Sequence, residues 1–195
     1  MDPTGEPAIV ARLRTGDPAA FDHVYAAYHA RLFNFLVRLS RRRDVAEDLV
    51  EETWLRLVRR AARLRENTRL EPWLFTVARN LFYSYCRSRL LEQSVMSDLI
   101  GLWPAGSPAR SPFEETAANE ADRRLESALA ALPAHAREVL LLVGIEGLAP
   151  ADAAVVCGIS PEALRQRLHR ARTLLARRME ETTILRVSVP KEAVS

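Results

Sequence analysis

Apolar residues recur at helical spacing along most of this chain, and this pattern constrains the fold more than any other feature. Between residues 18 and about 39, one helical face would consist of Phe21, Val24, Tyr25, Tyr28, Leu32, Phe35, Leu36 and Leu39. Alternation of apolar and polar residues, which is typical of a half-buried strand, occurs only in residues 184–189. The fold is therefore predicted to be all-α.

Two further helices are predicted in the first half of the chain. One begins near Asp44, whose carboxylate could cap it, and runs to about Leu64. Its predicted core face consists of Val45, Leu49, Val50, Trp54, Leu57, Val58 and Ala61. Residues 65–69 break the pattern, and the next helix starts at Pro72 and reaches about Leu91.

Composition divides the chain into two parts. Pro104, Pro108 and Pro112 stand among glycines and serines, which is typical of a linker. We predict two small helical domains joined by this flexible linker, with loose relative placement. The predicted bounds are 1–91 for the first domain, 92–118 for the linker, 119–182 for the second domain and 183–195 for a C-terminal tail.

The second domain is predicted to contain four helices that end in a helix-turn-helix. The helices are expected at 117–132, 134–145, 150–156 and 161–178. Gly158 suits a left-handed helix end, Ser160 can cap the last helix, and Pro161 can open it. This order of short helix, turn and capped helix favours DNA binding.

The last helix has six arginines and one acid between residues 161 and 178. Its predicted packing face consists of Leu164, Leu168, Ala171, Leu174 and Leu175, and its other faces carry Arg165, Gln166, His169, Arg170, Arg172, Arg177 and Arg178. Arginine can bond guanine and glutamine can bond adenine in the major groove, so Arg165 and Gln166 are candidate base readers. The alternative is a solvated basic face without a ligand.

Three segments, taken together in their order along the chain, resemble those of a known protein family. Residues 44–57 read DVAEDLVEETWLRL, residues 71–81 read EPWLFTVARNL, and residues 164–172 read LRQRLHRAR. Together they resemble the extracytoplasmic-function sigma factors of bacteria, which belong to the sigma-70 superfamily. The resemblance covers about residues 16–182. It departs from the family pattern at Glu51, where glutamine is usual, and at Ala163 and Gln166.

The resemblance implies a transcription initiation factor that binds core RNA polymerase and directs it to specific promoters. The first domain would bind the polymerase clamp helices through Asp48, Leu49, Glu51, Glu52 and Leu55. The second domain would contact the polymerase flap and read the minus-thirty-five duplex through Glu162, Arg165, Gln166, Arg167, His169, Arg170 and Arg172.

Capture of the melted minus-ten nontemplate strand is expected of the loop 65–70 and the helix after it. The residues expected to contact this strand are Arg65, Asn67, Thr68, Arg69, Trp73, Asn80, Tyr83 and Arg87. Phe75 and Phe82 are expected to be core residues, whereas Trp73 could be either. An extruded base needs a concave pocket with polar edges, and the irregular loop could supply one.

The cysteines, the lack of long apolar runs and the linker limit the kinds of protein that the sequence is expected to encode. Cys86 and Cys157 are predicted to be ordinary thiols, and neither a metal site nor a cofactor is expected. No apolar run is long enough for membrane insertion and no signal peptide is evident, so a cytoplasmic protein is expected. The Pro-rich tether would let an anti-sigma factor cover both domains together.

Two other functions compete with this interpretation. A stand-alone helix-turn-helix regulator would explain Arg165 to Arg178 but gives no role to the acidic segment 44–57. An enzyme acting on nucleic acid would need a carboxylate pair, a metal cluster or a phosphate-binding loop, and the sequence shows none of these. The protein is therefore not expected to be an enzyme.

Overall fold

The computed structural model describes the backbone of residues 5–97 and 120–187, and the side chains of residues 5–90 and 120–181. Most of the predicted linker and the end of the tail lie outside the described residues. We refer to residues 5–97 as the first half and to residues 120–187 as the second half.

The first half consists of four α-helices and a short 3-10 turn. They are α1 (Glu6–Arg14), α2 (Pro18–Ser40), α3 (Arg43–Arg60), the 3-10 turn Ala61–Arg63, and α4 (Leu70–Ser97). Asp17 caps α2 by accepting a 2.9 Å hydrogen bond from the Ala19 amide.

Helix α1 is a feature that apolar spacing did not predict. It buries Val10 and Leu13 in the core. The Glu6 carboxylate accepts a 2.7 Å hydrogen bond from the amide of Leu70, the first residue of α4. Helix α1 therefore satisfies one of the amide groups that α4 leaves unpaired at its N-terminus.

The second half contains four α-helices, with one π-helical turn between the second and the third. They are α5 (Glu120–Ala130), α6 (Ala134–Leu140), the π turn Leu141–Ile145, α7 (Pro150–Cys157) and α8 (Pro161–Val187). The predicted turn chemistry is confirmed: Gly158 has a φ of 65°, and Ser160 Oγ accepts a 3.1 Å hydrogen bond from the Ala163 amide. Helix α8 continues beyond residue 178, so residues 184–187 are helical instead of strand-like.

Several predicted positions were wrong. Tyr25 is 39% exposed, Val58 is 59% exposed and Leu174 is 38% exposed, although all three were assigned to the core. Asp44 does not cap α3: the N-cap residue is Arg42, and Asp44 forms an ion pair with it from the first turn. A regular helix was expected over 134–145, but the π turn replaces its last part.

The two halves pack against each other and share one hydrophobic core. Helix α4 contacts α7, and α2 contacts both α6 and the π turn. Arg38 Nε donates to Glu126 Oε1 over 2.9 Å, and Arg31 Nε donates to Glu146 Oε2 over 3.2 Å. The loose placement expected from the linker is therefore not the arrangement in this structure.

Arg137 joins the two halves through backbone carbonyls. This buried side chain donates to the carbonyls of Leu129, Ala130 and Leu132 in the second half, and of Arg38 and Leu39 at the end of α2. Burial lowers the pKa of its guanidinium to about 10, so it stays charged at neutral pH. The carboxyl ends of helices favour such a cation.

We predict that Arg137→Met lowers the free energy of unfolding by about 3 kcal/mol, because methionine leaves several buried carbonyls without a donor. The measurement is a urea titration followed by circular dichroism. Arg123→Met, at an exposed position of α5, serves as the matched control. Equal unfolding midpoints for the two variants would contradict this role of Arg137.

Candidate functional surfaces

A groove of about 490 Å³ lies between α2 and α3. Its aromatic wall comes from α2, with Phe21, Tyr25, His29 and Phe33 spaced four residues apart along one face. Its other wall comes from α3 and consists of Arg43, Glu47, Val50, Glu51, Trp54, Leu55 and Val58. Arg43 pairs with Glu47 over 2.9 Å. The groove thus combines apolar and aromatic side chains with this ion pair and the exposed carboxylate of Glu51.

Ring contacts hold the groove in shape. Tyr25 stacks on His29 with ring centroids 4.5 Å apart, and it also lies 4.9 Å from Trp54. The indole Nε1 of Trp54 donates to His29 Nδ1 over 3.2 Å. The bond makes Nδ1 of His29 the acceptor and links the two walls of the groove.

The five residues predicted to bind polymerase differ in how much of each side chain is exposed. Glu51 and the 41% exposed Leu55 line the groove, and Asp48 is exposed beside it. Glu52 is half-buried and accepts a 3.1 Å hydrogen bond from Arg56. Leu49 is 8% exposed and lies in the core, so it has almost no surface to offer to a partner.

Sequence reasoning missed the α2 side of this groove. Tyr25 was assigned to the core because it falls on the same helical stripe as Val24 and Tyr28. A stripe this wide extends past the buried face, and the exposed margin of α2 lines the groove. The signal available in the sequence was the four-residue repeat of Phe21, Tyr25, His29 and Phe33.

A second surface is formed by the loop before α4 and by α4 itself. Leu64 and Leu70 are buried at the two ends of the loop, and the Thr68 amide donates to the Arg65 carbonyl over 2.9 Å. Arg65 and Asn67 are exposed between these buried ends. The loop is therefore a tight turn fixed at both ends.

The predicted strand-binding residues of α4 differ in their exposure. Asn80 and Arg87 are exposed, and Arg87 donates to Ser84 Oγ over 3.0 Å. Trp73 is half-buried and packs against the core, so part of its ring remains accessible. Phe75 and Phe82 are buried, which confirms that they are core residues.

Two residues of this surface contact acids of the second half. Arg69 pairs with both carboxylate oxygens of Asp152, and its Nη2 lies 2.6 Å from Oδ2. Tyr83 Oη donates to Glu138 Oε2 over 3.1 Å. Burial, followed by the charge of Glu138, raises the pKa of the Tyr83 phenol, so this group remains a neutral donor.

The third surface is the outer face of α8. Leu164, Leu168 and Ala171 are buried against the other helices of the second half. Exposed side chains on the outer faces are Glu162, Arg165, Gln166, His169, Arg170 and Arg172, and Arg167 is half-buried. Glu162 and Arg165 form an exposed ion pair in the first turns of the helix.

The remaining expectations concern cysteines, metals and membranes. Both cysteines are free thiols: Cys157 is buried and Cys86 is half-buried. Burial raises the pKa of the Cys157 thiol to about 12. Within the described residues, no cluster of metal-binding side chains occurs, and none of the helices could cross a membrane.

Comparison with known proteins identifies both halves. Residues 24–90 match the family model for sigma-70 region 2, and residues 122–175 match the model for sigma-70 region 4. An extracytoplasmic-function (ECF) RNA polymerase sigma factor from Rhodopseudomonas palustris, EcfG, is 36% identical over 73% of this chain and 75% of its own length. The chain belongs to the ECF sigma factor family. Members of this family are transcription initiation factors that direct RNA polymerase to promoters.

Other relatives and solved structures agree with this assignment. CarQ of Myxococcus xanthus, an RNA polymerase sigma factor, is 32% identical over 82% of this chain and 88% of its own length. The structure of the sigma factor RpoE in complex with the anti-sigma factor NepR, from Bartonella quintana, matches with a TM-score of 0.67 at 29% identity. That match covers 82% of this chain and 96% of the other. CnrH in complex with the cytosolic domain of CnrY shares the fold, with a TM-score of 0.67 at 21% identity over 91% of this chain and 98% of the other.

Proposed function

We propose that this sigma factor uses its three surfaces for three separate contacts during initiation. The groove between α2 and α3 binds a clamp helix of core RNA polymerase. The loop 65–70 and α4 capture the minus-ten nontemplate strand, and α8 reads the minus-thirty-five duplex. The observation that carries this proposal is the groove, because a regulator that binds duplex DNA alone has no use for it.

The chemistry of the groove fits a partner helix that is basic and partly apolar. Leu55 and Val58 are exposed apolar residues, and an amphipathic helix could bury them together with the face of Tyr25. Glu51 on the same wall could pair with a basic residue of the partner. Aromatic residues in a concave surface are also those that most often dominate binding energy at protein interfaces.

Strand capture requires that base contacts offset the cost of opening the duplex. Loss of stacking costs about 1.4 kcal/mol per base-pair step, whereas stacking on an aromatic side chain contributes roughly 1–3 kcal/mol per base. Trp73 and Tyr83 could provide stacking, and Arg65, Asn67 and Arg87 could contact the backbone or base edges. A few captured bases would therefore balance the local opening, with polymerase supplying the rest.

Reading of the minus-thirty-five element is supported by the position of the exposed side chains on α8. Arg165 and Gln166 lie in the first turns after the Ser160 cap, the part of a recognition helix that contacts base edges. Arg172 lies about two turns further on and suits a phosphate contact.

An anti-sigma factor is a further proposed partner. The RpoE structure described above, which is 29% identical to this chain, is that of a sigma factor in complex with an anti-sigma factor. An inhibitor of this chain would need to cover the groove, and it could also cover α8. Tyr25, Leu55 and Val58 give the groove exposed apolar surface for this purpose.

We predict that Leu55→Asp lowers the affinity for core polymerase roughly tenfold or more, since it places a charge in the apolar part of the interface. The matched control is Leu90→Asp, because Leu90 is a 65% exposed leucine outside the groove. Fluorescence anisotropy with labelled protein measures the affinity, and circular dichroism checks the fold. If both variants bind polymerase equally well, the groove is not the docking site.

We predict that Arg165→Ala and Gln166→Ala each lose about 1–3 kcal/mol of discrimination at particular base pairs of the upstream element. Arg172→Ala should instead weaken binding to all sequences and reduce its salt dependence. Competition binding with single-base variants of the element, at two salt concentrations, separates these effects. Identical specificity profiles for all three variants would refute the division between base readers and phosphate contacts.

A further inference from the structure

We infer that His29 is a positioning residue of the groove between α2 and α3, and that it keeps the aromatic side chains there in a shape ready to receive a polymerase helix. Its Nδ1 fixes the Trp54 indole, and its ring supports Tyr25. The inference rests on the proposed docking of polymerase in this groove. The polymerase-binding residues predicted from the sequence all lie on α3, so His29 adds a contribution from α2.

Trp54 places a polar group in a buried position. It lines the groove but is only 6% exposed. The one polar group of an indole is its Nε1–H, which can donate a hydrogen bond but cannot accept one. A buried donor without an acceptor destabilises the conformation that buries it. His29 Nδ1 accepts this bond over 3.2 Å, so the placement of the indole depends on an acceptor at residue 29.

Tyr25 depends on the same histidine. Tyr25 is 39% exposed and is therefore available to a partner. Its ring stacks on that of His29 with an interplanar angle of 23°, and its other neighbour is the Trp54 ring. Aromatic pairs at these separations stabilise each other beyond the area that they bury. His29 thus supports Trp54 by a hydrogen bond and Tyr25 by stacking.

The hydrogen bond also joins the two helices that form the groove, since His29 belongs to α2 and Trp54 to α3. A second link is the Arg43 guanidinium, which lies 5.5 Å from the centroid of the Phe33 ring. The side chain of Arg43 is 67% exposed, and cation–π contacts at exposed sites are weak. The bond between His29 and Trp54 is the stronger link, because the indole is shielded from water.

The packing of α2 against α3 does not depend on His29. Val24 and Leu32 of α2 and Val50 and Leu57 of α3 are buried in the common core. Their burial keeps the two helices together when residue 29 is changed. Loss of the acceptor at residue 29 is therefore expected to change the shape of the groove and to leave the fold intact.

The shape of the free groove decides how tightly it binds. A groove that is already formed binds more tightly than one that must be ordered by its partner. If the Trp54 indole turns toward another acceptor, only the fraction of molecules with a restored groove can bind, and the apparent affinity falls by that fraction. His29 therefore affects docking through Trp54 and Tyr25.

The test compares His29→Leu with His29→Asn in the full chain. Leucine removes the acceptor, whereas asparagine carries an oxygen at the same number of bonds from the backbone as Nδ1. We expect His29→Leu to weaken binding to core polymerase about tenfold, and His29→Asn to stay within about threefold of the wild type. Fluorescence anisotropy measures the affinity, and circular dichroism checks the fold. His23→Leu is the matched control, because His23 is an exposed histidine of the same helix outside the groove.

A Trp54→Phe background isolates the hydrogen bond. Phenylalanine has no N–H to donate, so His29→Asn should lose its advantage over His29→Leu in this background. If asparagine keeps its advantage without the indole, or shows none when the indole is present, the bond does not position the groove and the inference is overturned.

The indole signals in a nitrogen–hydrogen correlation NMR spectrum provide a measurement without polymerase. The chain has three tryptophans, and the signal lost in Trp54→Phe assigns Trp54. We expect His29→Leu to shift this signal and to accelerate its exchange with solvent, and His29→Asn to keep slow exchange. An unchanged Trp54 signal in His29→Leu would show that the bond is not formed in solution, which overturns the inference.

Leu55→Asp separates this inference from the proposed function. If Leu55→Asp weakens polymerase binding and His29→Leu does not, the groove is the docking site, His29 has a structural role alone, and only the inference fails. If neither variant weakens binding, docking in the groove fails, and the inference fails with it.

Discussion

The paired charges between the two halves are the interaction on which the rest of this structure depends. Four acids of the second half are almost completely buried, and each is stable there only because an arginine of the first half compensates it. These pairs, together with the carbonyl contacts of Arg137, hold α2, α4 and the loop before α4 against the second half, where the two halves share one core. They also decide which surfaces of the protein are accessible.

The accessible surfaces follow from this arrangement. The groove between α2 and α3 and the outer face of α8 lie outside the contact, whereas Arg69 and Tyr83 lie within it.

The turn and cap at the start of α8 were predictable from the sequence, whereas the N-cap of α3 and the contacts between distant residues were not. Gly158 and Ser160 defined the start of α8 because turn and cap chemistry depends on neighbouring residues. The exposure of Tyr25 could not be predicted from periodicity. The spacing of apolar residues identifies one face of a helix, but it does not show which part of that face other helices cover. The roles of Glu138 and Asp152 depend on partners 59 and 83 residues away, and no local pattern indicates such pairs.

Transcription with purified core polymerase, on templates randomised across both promoter elements, tests the central claim most directly. Our account predicts that this chain enables initiation from templates that share two separated elements. Exchanging the loop 65–70 for that of another family member should change preference only in the downstream element. Duplex binding without any initiation, or selection of a single duplex element, would contradict the account and favour a stand-alone helix-turn-helix regulator.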